Sequence, residues 1–264
     1  MALKTTNSSK TPKAGEPLTY ASYLKVPQLL ELQSPLSDPL AHDEMLFIII
    51  HQAYELWFKL MLFEMETLIQ ELGADNLGRA EALLNRISEI FKLLIHQVDI
   101  LETMTPTDFN LFRSRLNPAS GFQSVQFRML EVLSGTEPEE YKSLEKLAPE
   151  WKRAMQAPSG GNLRQAFFQF LKRRKLLKKL EDEDERIAAI SEVYASGNLE
   201  LERLCERLIG YDEQFSLWRY RHVQMVERMI GMKKGTGGSL GVAYLQTTLS
   251  RRFFPEIWRS RTQL

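Results

Sequence analysis

Four histidines, His42, His51, His96 and His222, bound what metal or proton chemistry this 264-residue chain can do. His42 stands at a helix start beside Asp43 and Glu44, where a cap or salt bridge is expected. His96 follows Leu93-Leu94-Ile95 and reads as a half-buried helix residue. Neither has a second donor at ligand spacing, and no HExxH or CxxC occurs, so a zinc site has no support. His222 differs. Phe215, Trp218, His222, Met225, Val226 and Met229 recur at three- and four-residue intervals, which sets the imidazole in the middle of an apolar helical stripe. An axial haem ligand requires one neutral nitrogen donor walled by apolar side chains. A satisfied core histidine fits the same pattern, and the spacing alone favours it.

His51 lies one helical turn after Phe47, so both project from one face. Phe47 can pack on a flat substrate while His51 hydrogen-bonds its polar edge, although such pairs also occur in ordinary cores. Phe109 and Arg113 share that spacing. Arg113 has apolar neighbours Leu111, Phe112 and Leu116, where a guanidinium seeks a carboxylate, and Arg115 and Arg128 compete with it on spacing alone. In Lys233-Lys234-Gly235-Thr236-Gly237-Gly238-Ser239 the lysines precede the glycines and no strand leads in, so this is not a Walker motif. Gly235 and Gly237 can still present backbone N–H groups to an anion, with Thr236 adding a hydroxyl. A flexible helix-ending loop is the plainer alternative.

Helical periodicity dominates the elements that must position these residues, and the fold class read from it is all-α. His42-Asp43-Glu44 leads into a helix apolar nearly all round, which implies burial on most sides. A second helix spans about 76 to 103, with Leu83, Leu84, Ile87, Ile90, Phe91 and Leu94 inward. Thr105-Pro106-Thr107-Asp108 is a helix start, with Thr105 as cap and Pro106 at the first position, and that short helix should stop near Asn117-Pro118. Another begins after Ser120-Gly121 and runs through Gln126 to Leu133, and a long one runs from Asn198 to about Met232. Residues 1–17, rich in Lys, Ser, Thr and Pro, read as a disordered tail without a secretory signal. Residues 18–264 read as one domain, with 135–184 as a helical insertion.

Composition narrows the class further. Lys+Arg and Asp+Glu both number 34, so formal net charge is zero, and the long-range field of a nucleic-acid or membrane-surface binder is missing. The basic run Lys172 to Lys179, followed by the acidic Glu181 to Glu185, reads as a solvated helix surface. The most apolar stretch, Met45 to Phe63, is interrupted by His51, Gln52, Glu55 and Lys59 and does not read as a membrane span. The single cysteine, Cys205, flanked by Leu201, Leu204 and Leu208, suits a core thiol in a reducing cytosol, so a cytoplasmic location is expected.

Read in order, several strings closely resemble the tryptophan 2,3-dioxygenase family. They are LTYASYL (Leu18–Leu24), HDEMLFIIIHQAYELW (His42–Trp57), PASGFQSVQFR (Pro118–Arg128), WRYRHV (Trp218–Val223) continuing through Gly231 to Gly241, and FFPEIW (Phe253–Trp258). The resemblance overturns the core-histidine reading of His222. It implies a helical homotetramer with haem b, L-tryptophan and O2 as substrates, and cleavage of the indole C2–C3 bond to N-formylkynurenine. Carried onto matching positions, His222 is the proximal iron ligand. His51 faces the indole N–H, Phe47 packs on the ring, and Arg113 holds the carboxylate. Thr236 meets the ammonium with a haem propionate, in the loop of Gly235 and Gly237. Phe109 is an aromatic pocket position, and Ser120 a polar residue near the haem. Tyr20, Tyr23 and Leu24 match a segment donated to a neighbouring subunit's site.

Two departures bear on this. Tyr20-Ala21-Ser22-Tyr23 stands where the family often shows Tyr-Gly-Asp-Tyr, and the insertion from Gly135 to Asp182 is short and basic. A relative that oxygenates a modified tryptophan or other indole, inserting one oxygen instead of two, would keep every motif. A haem sensor without turnover would need neither Arg113 nor His51.

Overall fold

The computed structural model describes residues 17–143, 151, 161–233, 235 and 241–264. Among them there is no strand. The helices that lie wholly within them are, in order, α1 (Tyr20–Leu24), α2 (Val26–Leu29), α3 (His42–Gly73), α4 (Leu77–Leu101), α5 (Pro106–Phe112), α6 (Val125–Ser134), α7 (Leu163–Arg173), α8 (Glu183–Ala195), α9 (Leu199–Ile230), α10 (Val242–Thr247) and α11 (Pro255–Ser260). The expected tail lies almost wholly outside the described residues, as do Thr236 and Gly237.

α3 and α4 form a hairpin across Ala74–Asn76, where Asp75 takes a left-handed φ of 59°. α9 packs on α4, while α6 and α7 pack on α3. The core follows the helical period. Leu83, Leu84, Ile87, Ile90, Phe91 and Leu94 are all buried, and Phe91 meets Phe215 of α9 at 4.9 Å between ring centres. α7, within the expected insertion, buries Phe167, Phe168 and Phe170 in this same core.

Local signals place the helix ends. Thr105 forms a capping box with Asp108 and Pro106 opens α5, which closes at Phe112 into a single 3₁₀ turn, Arg113–Leu116. Ser124 caps α6 and Asn198 caps α9. Ser22, at the departure from the family pattern, closes a capping box with Thr19 and so keeps α1 capped.

Four expectations need correction. α3 is not covered all round: Met45, Ile49, Leu56 and Phe63, spaced by four and seven residues, form a stripe that this chain leaves exposed. Apolar patterning reports what a face prefers, not what covers it. α3 is also long and apolar enough, by length and composition, to cross a membrane, its best eighteen-residue stretch reaching mean hydropathy 1.4 despite the interruptions. In this chain it packs against α4, α6 and α7, with Glu44 and Glu64 among its buried residues. His96 is exposed rather than half-buried, because its ring points beside Asp99 away from the apolar face of α4. The charged runs extend from the end of α7 through its connection to α8 and into the first turn of α8, not over one helix surface, and Glu185 accepts from the Lys178 and Lys179 backbone N–H groups at 3.0 and 3.2 Å. Cys205 is buried as expected, and burial pushes its thiol up to about 12.

The C-terminal segment is pinned to α9 through Asp212. Its buried carboxylate accepts from Phe253 N (3.1 Å), Phe254 N (3.3 Å) and Trp258 Nε1 (2.9 Å). Asp212→Ala would strand three donors and should cost about 2–4 kcal/mol in urea unfolding, with Asp212→Asn recovering part of the loss. An unchanged midpoint for Asp212→Ala would remove this anchor from the account.

Candidate active site

The ends of α3, α5, α6 and α9 enclose one cavity of about 290 Å³. Its walls are largely apolar, with Phe58, Leu101, Phe127, Met225, Val226 and Met229 among them. Of the residues singled out in the sequence, Phe47, His51, Phe109, Arg113, Ser120, His222 and Gly235 line this single space. Tyr20, Tyr23 and Leu24 are not among its lining residues and lie exposed on α1.

α3 contributes Phe47 and His51, whose rings sit 4.0 Å apart. Phe109 stacks on Phe47 at 5.7 Å, so two aromatic faces run side by side. His51 Nδ1 lies 2.6 Å from the Phe47 carbonyl oxygen. A carbonyl can only accept, so Nδ1 carries the proton, and in the neutral ring Nε2 keeps its lone pair. His51 lines the cavity and keeps part of its surface open, with the rest set into the wall. Burial therefore dominates and lowers its proton affinity, with the Phe47 carbonyl and the Glu55 carboxylate acting in the opposite direction.

α9 contributes His222, stacked on Trp218 one turn earlier with ring centres 5.1 Å apart and planes 5° from parallel. Burial pushes His222 down to about 4, and His51 and Arg128 push the same way. It is therefore a neutral imidazole at neutral pH, which is the form that ligates a metal.

Arg128 bonds Glu131 at 2.5 Å, Arg219 bonds the same carboxylate at 2.8 Å, and the Tyr141 hydroxyl donates to it at 2.7 Å. Of the three arginines that spacing had offered, Arg128 and Arg113, the latter half-buried on the 3₁₀ turn after α5, line the cavity, and Arg115 is exposed and does not. The Glu131 cluster was not singled out from the sequence, nor were Tyr54 and Glu55; the latter is detectable in principle, one helical turn after His51. At the far wall, Gly241 has φ 62°, and a Cβ there would come 2.7 Å from the Lys233 carbonyl oxygen, so only glycine closes the base of the loop that brings Gly235 to the cavity.

The residues suit a haem. Among the described residues no three or more His, Cys, Asp and Glu side chains gather as a metal site, so the donor set at His222 fits a metal that brings most of its own ligands. The walls are apolar, and two arginines share one glutamate, leaving an excess positive charge. Arg128 Nε and Arg219 Nε are buried without a hydrogen-bond partner, an arrangement that favours a carboxylate-bearing guest.

The chain matches a family model described as tryptophan 2,3-dioxygenase over residues 4–160 and 165–264. It is 45% identical over 258 residues to a tryptophan 2,3-dioxygenase of Herpetosiphon aurantiacus, covering 94% of this chain and 98% of the relative. A protein of that name from a Nocardioides species is 45% identical over 259 residues, covering 95% and 96%, and one from Bacillus anthracis is 42% identical over 263 residues, covering 94% of each. Nearly the whole chain is matched, both histidine helices included, and so the protein belongs to the tryptophan 2,3-dioxygenase family.

Proposed function

We propose that this protein is a haem-dependent dioxygenase that cleaves the indole C2–C3 bond of L-tryptophan with O2 to give N-formylkynurenine, the opening step of tryptophan catabolism. The observation that carries the reading is the convergence of His222, His51, Phe47, Phe109 and Arg113 on one apolar cavity. Tryptophan is a zwitterion with a flat apolar side chain, and the cavity offers one chemistry for each part.

His222 would hold the iron of haem b, which would supply the centre for O2 chemistry. The paired faces of Phe47 and Phe109 form the slot for the indole. His51 Nε2, held in its accepting form by the Nδ1–Phe47 carbonyl bond, receives the indole N–H. That N–H is too weak an acid for imidazole to deprotonate readily, so the role of His51 is to orient and not to act as a base. Arg113 grips the substrate carboxylate in a charge-assisted contact. By the family resemblance, Thr236 would meet the substrate ammonium, Gly235 and Gly237 would contact the cofactor, and Ser120 would add a hydroxyl to the pocket. The presence of Arg113 and His51 on the same cavity favours turnover over gas sensing. Reduced holoprotein given L-tryptophan in air should consume one O2 per tryptophan and accumulate N-formylkynurenine. Unchanged tryptophan in a haem-replete, reduced sample would contradict the proposal.

The protein works as a homotetramer over its 18–264 domain, in the cytoplasm. Exposed Leu18, Tyr20, Tyr23 and Leu24, and the uncovered stripe on α3, are apolar surfaces that suit burial against further copies of the chain. Tyr20, Tyr23 and Leu24 then complete a neighbour's cavity. Deleting residues 1–24 should raise the KM for tryptophan and shift the protein to smaller species in sedimentation. A truncated protein of unchanged size and KM would sink this part.

A further inference from the structure

Glu55 is a charged side chain in an otherwise apolar stretch of cavity wall, and the roles above leave it unused. It lies one turn beyond His51 on the same face of α3 and is half-buried. Its two carboxylate oxygens are divided between two partners across a long stretch of sequence. Ser124 Oγ donates to Oε1 at 2.6 Å, and Gln126 Nε2 donates to Oε2 at 2.8 Å and to the Glu55 backbone oxygen at 2.8 Å. Ser124 is also the N-cap of α6, where its oxygen accepts from Phe127 N at 3.3 Å. A hydroxyl has one proton. With that proton given to Glu55, the lone pair is left for the cap, so the carboxylate sets the rotor on which α6 begins. The segment so fastened carries Ser120, Gly121, Phe122 and Ser124, all lining the cavity.

We propose that Glu55 is a positioning residue of the substrate pocket, fastening the Ser120–Ser124 segment to α3 beside His51 while its negative charge sets the electrostatic environment of the His51 ring. The proposal rests on the assignment of His51 to the substrate. The charged and titratable groups lining the cavity around that ring are Tyr54 and Glu55 from its own helix, Arg113 from the turn after α5, Arg128 and Glu131 from α6, Arg219 and His222 from α9, and Tyr244 from α10. Of these, Glu55 is the one whose charge raises the proton affinity of His51, against the burial that lowers it. Removing the charge must therefore lower it further, and the substrate-accepting neutral ring then persists to lower pH.

Two variants separate the fastening from the charge. Glu55→Gln keeps the shape but loses the charge, and its NH2 group meets the Gln126 donor. Glu55→Asp keeps the charge and shortens the reach. With haem content matched to wild type, both should raise the KM for tryptophan about 5- to 50-fold, the span of one or two lost charge-assisted hydrogen bonds, with kcat changed by less than about threefold. Only Glu55→Gln should move the acid limb of the kcat/KM profile, by about half a unit or more towards lower pH. A limb that stays in place in Glu55→Gln, or moves equally in both variants, overturns the proposal, as does an unchanged KM in both. A second readout needs no turnover. Titration of the His51 ring by nitrogen NMR, in the reduced CO-bound protein with His51→Gln as the assignment control, should show the same downward shift in Glu55→Gln alone. If wild type failed to consume tryptophan, the proposed reaction would fall, while the NMR titration would still decide the role of the Glu55 charge.

Discussion

His222→Ala is expected to give a folded protein that retains almost no haem. Alanine favours the helix and the residue faces the cavity, so α9 should persist. What is lost is the neutral donor that burial prepares. Changing a residue that merely supports a metal ligand costs about 10- to 100-fold in affinity, so losing the ligand itself should cost on the order of 100-fold or more. Activity should fall to background with it. Added imidazole should fill the space left by the ring and restore part of the ferrous spectrum, a rescue that a general folding defect would not show. Full haem with an unaltered ferrous Soret band and no added imidazole would place the ligand elsewhere.

Arg113→Leu should be almost as severe, but selectively so. A charge-assisted contact between the guanidinium and the substrate carboxylate is worth about 2–4 kcal/mol, or roughly 30- to 1,000-fold in kcat/KM. Haem content should hardly change, because the lesion lies in the substrate pocket. Tryptamine, which keeps the indole and the amine but lacks the carboxylate, should be a poor substrate for the wild type and should suffer far less from the substitution. The two proteins and two substrates form a cycle whose coupling term isolates the contact. Equal losses for tryptophan and tryptamine would make Arg113 structural.

The parts of this fold that could be read from sequence are those set by local chemistry and period. The inner face of α4, the capping box at Thr105 and the Asn198 start of α9 each depend on residues within two turns of one another. Spacing singled out both cavity histidines, each one turn from an aromatic partner, Phe47 or Trp218, but it favoured a core role for His222, and the family resemblance reversed that. Which of Arg113, Arg115 and Arg128 reach the cavity was not legible, nor was the cluster in which Glu131, Arg219 and Tyr141 meet Arg128 from separate stretches of chain. Equally, nothing along α3 distinguishes Ile50, which is buried, from Ile49, which is exposed. Both are apolar, and the difference lies in which neighbours the tertiary fold provides. The roles of Arg113, His51 and His222 toward the ligands come from the family resemblance, with the shared cavity as their structural support.

The central claim is that one cavity brings tryptophan and activated oxygen together so that both oxygen atoms enter the product. A single turnover of anaerobically reduced holoprotein with L-tryptophan and ¹⁸O₂, followed by mass analysis of the product, tests it most directly. The account predicts a product heavier than tryptophan by two labelled oxygen atoms. A product with one labelled atom would make the protein a monooxygenase, and unmodified tryptophan from a reduced, haem-replete sample would contradict the account altogether.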